Sequence, residues 1–172
     1  MKKQNLYFLL AFLLPTLIVL WWWGLFRAAT IETVERGPYR YAYLEAQGPY
    51  SKLAAKQQEV GAELRKQGIT PGSSFTLIMD DPRTTKTGER RARAGYLIDM
   101  AVTPKPPLLA ETIPARRVVE AKVKAHPLLA YGKVYGKLLD FSKQQGQSLH
   151  MPTVEIYSAS VLTVEMPLEA HP

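Results

Sequence analysis

A glutamate and a tyrosine two residues apart, Glu155 and Tyr157, stand in the run Thr153-Val154-Glu155-Ile156-Tyr157. In an extended strand this alternation sets Glu155 and Tyr157 on one face and Val154 and Ile156 on the other, so one face packs while the other can line a groove. Tyr39, Tyr41 and Tyr43 alternate in the same way. A carboxylate flanked by aromatic rings in a concave apolar site favours a flat cationic ligand, through charge pairing and cation–π attraction that desolvation strengthens. The alternative is a cross-strand pair of Glu155 with an Arg or Lys, which contributes ~0.2 to 1 kcal/mol if exposed. Both readings stand on the residues alone.

Little else in the chain offers reactive chemistry. There is no G-x-S-x-G, no P-loop and no H-E-x-x-H. The three histidines, His126, His150 and His171, are isolated; His126 precedes Pro127 at a helix start, where a cap or surface role is expected. The absence of cysteine excludes a disulfide framework, a thiolate nucleophile and cysteine-based metal sites. No metal and no cofactor is expected. Asp80-Asp81-Pro82 reads as a turn closed by side-chain oxygens.

Two segments share one plan. Pro49 to Gly68 and Pro127 to Gly146 each begin with Pro and end with Gly, at an offset of 78 residues that also aligns Gln67 with Gln145. Helical spacing of Tyr50, Leu53, Val60 and Leu64, and of Tyr131, Val134, Tyr135, Leu138 and Phe141, predicts two amphipathic helices. Their tyrosines, Tyr50, Tyr131 and Tyr135, read as core-rim residues and remain pocket candidates. Each helix follows one strand-like run and precedes two: residues 39–47, then 74–80 and 90–99, and residues 116–125, then 153–157 and 161–166 with a hairpin at 158–160. The expected fold is α+β, two pseudo-symmetric strand-helix-strand-strand repeats forming an antiparallel sheet with helices on one face. The halves cover about 30–100 and 113–168, and residues 103–114, with Pro104, Pro106, Pro107 and Pro114, form a connector.

The first 29 residues predict a transmembrane anchor. Residues 6–26 form 21 uncharged positions, roughly the ~30 Å hydrocarbon core at 1.5 Å per residue, with three tryptophans near one end. A cleaved signal peptide fits less well, because Arg27 or Phe26 breaks the small-x-small pattern, so an uncleaved signal anchor is expected. The Lys2-Lys3 start favours the domain outside the cytoplasm, on a bacterial inner membrane, with the cytoplasmic side as the alternative. Setting Lys2, Lys3 and Arg27 aside, nineteen basic residues face fifteen acidic ones, a balance of only +4. With one dense cluster, Arg90, Arg91 and Arg93, no nucleic-acid partner is expected. Residues 169–172 read as a tail.

Several pieces, in order, resemble a known family. These are Gln47-Gly48-Pro49-Tyr50 opening the first helix, Asp80-Asp81-Pro82 before a basic strand, Ala130-Tyr131-Gly132 through Phe141, and Pro152-x-x-Glu155-x-Tyr157. They resemble the GyrI-like small-molecule-binding domain, the effector-binding domain of AraC-type and MerR-type bacterial transcription activators, over roughly residues 30–168. The resemblance implies a concave groove for cationic or aromatic molecules, with a carboxylate on a late strand at the position of Glu155. The candidate ligand contacts are thus Glu155, Tyr157, Tyr41, Tyr43 and Tyr131. Some relatives hydrolyse strained electrophiles with a pocket glutamate and an aromatic hydroxyl, so a small hydrolase is one alternative and a membrane-tethered interaction scaffold another. The helix-turn-helix of the activators has no counterpart here, and the stretch after Tyr157 is shorter than in drug-sensing members. The layout of one apolar N-terminal helix before this domain is also similar to that of the testis-expressed ER-phagy receptor of animals.

Overall fold

The structure, a computed structural model, describes residues 3–168, with side chains from residue 11 onward. The tail predicted at 169–172 lies outside the described residues. Eight strands form: β1 (Thr30–Arg36), β2 (Tyr39–Gln47), β3 (Ser74–Ile78), β4 (Arg91–Leu97), β5 (Leu109–Ile113), β6 (Arg116–Lys124), β7 (Thr153–Ser158) and β8 (Val161–Pro167). Three helices join them: α1 (Lys3–Trp22), α2 (Leu53–Lys66) and α3 (Pro127–Gln144). All strand pairs are antiparallel, in the order β1-β6-β8-β7-β3-β4-β2-β5. The order reads the same from both ends: each repeat lays its third strand between its first and second, and the two second strands, β3 and β7, meet at the centre.

Both helices of the repeats lie on one face, α2 over β2 and β4, α3 over β6, β8 and β1. Apolar residues one turn apart drive this docking: Val60 and Leu64 of α2, and Ala130, Val134 and Leu138 of α3, are all fully buried. Each large one contributes roughly 1.5–3 kcal/mol by leaving water. Because each helix is centred on outer strands, β3 and β7 carry no helix of their own.

The opposite face curls inward. Tyr39 Oη on β2 donates to Glu165 Oε1 on β8 at 2.6 Å, across three intervening strands. In a flat sheet those strands would stand about 19 Å apart at ~4.8 Å per step, so the sheet bends around this face. Gly95 permits the bend, since a Cβ there would meet the Ala42 carbonyl oxygen at 1.8 Å. A backbone approach that close admits only glycine.

Three expectations are corrected. β1 and β5 are strands that periodicity did not predict, and β5 lies within the proline-rich connector; both are edge strands, where proline neighbours and missing partners are tolerated. The transmembrane helix is the third. Among the described residues, no helix is long and apolar enough to cross a membrane. α1 stops at Trp22. The end of the apolar run turns onto the domain instead. Gly24 takes φ +84°, and Trp23 stacks on His126 with ring centroids 4.3 Å apart. His126 caps α3 by accepting from the Leu128 amide, and Lys133 of α3 donates to the Leu25 and Arg27 carbonyls.

Candidate functional site

The gap between the helices, above β3 and β7, is a cavity of about 610 Å³, well inside the range of ~300–1,000 Å³ usual for small-molecule sites. Its floor is Thr76 and Ile78 of β3 and Glu155 of β7. One wall comes from α2 and the 3-10 turn before it, with Tyr50, Leu53, Ala54 and Gln57; the other from α3, with Tyr131, Tyr135 and Leu139. Asp81, Pro82 and Arg83 stand at a third side, held by an Arg83 to Asp81 ion pair and by the Tyr50 hydroxyl donating to the Asp80 carbonyl at 2.6 Å. The lining is mainly apolar, so the few polar groups fix orientation.

Glu155 is 8 % exposed and sits directly across the sheet from Thr76. Tyr135 Oη donates to its Oε1 at 2.5 Å and lies 3.2 Å from the Thr153 hydroxyl. Burial pushes the Glu155 carboxyl up to about 7, against the downward pull of the Tyr135 hydrogen bond. Burial likewise holds the Tyr135 hydroxyl well above its ordinary value and raises Tyr131 to about 12, each reinforced by the Glu155 charge. A carboxyl poised near neutrality can exchange a proton with whatever occupies the cavity.

The other buried carboxylates have cationic partners. Glu120, 1 % exposed, accepts from Arg36 at 2.5 Å and from Lys122 at 3.2 Å; Glu165, fully buried, accepts from Arg116 at 3.1 Å. Glu155 has none among the described residues, and the cross-strand ion pair considered as its alternative role does not form.

Residues 29–164 match the sequence profile of the GyrI-like small molecule binding domain. The chain belongs to that family. Among solved structures, the GyrI-like fold recurs in EcmrR captured with DNA by cryo-electron microscopy, at 15% identity and a TM-score of 0.66 over 99% of this chain and 68% of that one. The crystal structure of the EcmrR C-terminal domain matches at 18% identity and a TM-score of 0.59, over 84% of this chain and 99% of that one. An integron cassette protein from the mobile metagenome of Vibrio cholerae matches at 6% identity and 0.58, over 83% and 99%. At these identities the likeness is one of fold. No curated protein matches the chain.

Of the five predicted contacts, Glu155 and Tyr131 face the GyrI-like cavity. Tyr157 shares the face of Glu155, yet packs against the core beneath α3 and does not line the cavity. Tyr41 and Tyr43 pair with Leu97 and Gly95 of β4, which places them on the curled face, opposite the cavity. There Tyr41 stacks on Phe75 at 4.3 Å and Arg93 lies over the Tyr43 ring at 4.8 Å. Tyr50 and Tyr135 were pocket candidates outside those five, and Thr76 and Gln57 were not predicted. The spacing of Tyr131 and Tyr135, one turn apart, was a usable signal for Tyr135; Thr76 needs the register of β3 on β7, which no local pattern carries.

Proposed function

We propose that this GyrI-like domain binds a small aromatic cation in the cavity between its two repeats, with Glu155 as counter-ion. One observation carries the reading: Glu155 is a buried carboxylate, open to an apolar cavity, with no cationic partner among the described residues. Buried charges are costly unless paired, so the charged form of Glu155 is complete only when a cation occupies the cavity. Tyr131 and Tyr50 supply ring surface on opposite walls, suited to sandwiching a flat cation. The family match supports small-molecule binding in general, and the ligand class rests on the geometry of Glu155.

The test is calorimetric titration with biphenyl-4-amidinium and biphenyl-4-yl-trimethylammonium at about pH 8. At least one should bind the native protein, and Glu155→Gln should weaken it by about tenfold or more, the effect of losing a charge-assisted interaction. Equal binding to native protein and variant, or no binding of either cation, defeats the proposal.

A further inference from the structure

Around Glu155 three groups can still accept a hydrogen bond. Its Oε1 takes the Tyr135 hydroxyl, while Oε2 takes no hydrogen bond among the described residues. Thr76, 8 % exposed and the cross-strand neighbour of Glu155, lines the cavity with a hydroxyl that has no hydrogen-bond partner among the described residues. Gln57 lines the cavity from α2 with one amide N–H given to the Gly95 carbonyl at 3.0 Å, while its carbonyl oxygen takes no hydrogen bond among the described residues. Cross-strand neighbours have Cβ atoms about 4.5–5.5 Å apart, so the carboxylate and the hydroxyl can both be reached by one planar head group.

Resting on the binding reading above, we propose that the cavity selects cations bearing N–H donors, an aryl amidinium, guanidinium or protonated amine, over quaternary cations of the same size and charge. The discrimination lies in what each leaves behind. An amidinium gives one N–H to Glu155 Oε2 and another to Thr76 Oγ1, replacing the water both lose. A trimethylammonium meets the charge of Glu155 and satisfies neither acceptor. Each buried acceptor left unpaired lowers affinity by about five- to a hundredfold. Thr76 is thus a specificity-determining residue that acts on ligand shape and hydrogen bonding, with no charge of its own.

The experiment pairs the two biphenyl cations named above on the full chain, because they match in ring system and charge and differ in N–H donors. Biphenyl-4-amidinium should bind about tenfold or more tighter than the trimethylammonium. Thr76→Val, which keeps shape and removes the hydroxyl, should weaken the amidinium by about five- to tenfold and leave the trimethylammonium within about twofold. Thr76→Ser should restore amidinium binding, which guards against a packing effect of Val. Equal affinities that both fall in Glu155→Gln overturn the N–H preference and leave the counter-ion reading intact. Equal losses of both cations in Thr76→Val overturn it in the same way. No binding of either overturns both.

Discussion

Glu155→Gln should stabilise the unliganded protein, and by an amount that depends on pH. The Glu155 carboxyl ordinarily titrates at 4.5 and is pushed up to about 7 in the folded chain by burial. At ~1.36 kcal/mol per pH unit, the folded state favours the protonated form by up to about 3 kcal/mol. The native state therefore binds more protons than the unfolded state between pH 4.5 and about 7. The stability associated with Glu155 is complete below 4.5, declines as pH rises to about 7, and is flat above it. Glutamine is neutral throughout, and its carbonyl can still accept from Tyr135. The two proteins should melt together near pH 4.5, whereas at about pH 8 the variant should melt about 6–12 °C higher, taking ~2–4 °C per kcal/mol for a chain of this size. Other titrating groups are common to both and cancel in the difference. Differential scanning fluorimetry from about pH 4.5 to 8 reads this directly. A difference that does not vary with pH, or a variant less stable at pH 8, refutes the burial argument. A cation at ~100 times its native Kd should narrow the gap by about 1.3 kcal/mol, since it adds about 2.7 kcal/mol to the native protein and about 1.4 to a variant that binds it tenfold more weakly.

Further outcomes follow from the same geometry. Tyr135→Phe removes the donor that favours the Glu155 carboxylate, so cation affinity should fall about fivefold at pH 7 and converge with native above about pH 9, read by titration at both pH values. Tyr41→Phe and Tyr43→Phe act on the opposite face of the sheet; each should cost about 0.5–1.5 kcal/mol in urea unfolding and leave cation affinity unchanged within about twofold. Gly95→Ala sets a methyl against the Ala42 carbonyl and should cost more than about 4 kcal/mol, seen as loss of the folded protein on expression and by circular dichroism.

Periodicity located most of the elements, because six of the eight strands alternate and both helices of the repeats carry a stripe. β2 runs from Tyr39 to Gln47 as predicted, and the hairpin at 158–160 closes on Ala159 and Ser160 at φ +48° and +65°, the left-handed pair that a tight two-residue turn requires. β1 and β5 escaped because one has mixed charge with little alternation and the other is bounded by prolines. The site was legible where chemistry is local. A carboxylate in an alternating strand pointed to Glu155, but its lack of a partner depends on which strands flank β7, a property of topology. The tyrosines of β2 show the same limit. Their alternation was correct and their face was not, since the face is set by pairing with β4 and strand parity carries no label. The apolar N-terminal run was read as one helix, although Gly24 ends it and Trp23 finds a stacking partner a hundred residues away in His126.

The edge strands have a consequence for how copies of this protein meet one another. β5 is five residues long, with Pro107 two residues before it and Pro114 directly after it, so its outer rim stays short. β1, at the other end, carries Glu32, Glu35 and Arg36. Neither rim offers the long, flat, uncharged template on which strands from separate molecules zip together. An eight-stranded open sheet is in principle a seed for fibre growth, and here the prolines that interrupt the link between the repeats also serve as its stop.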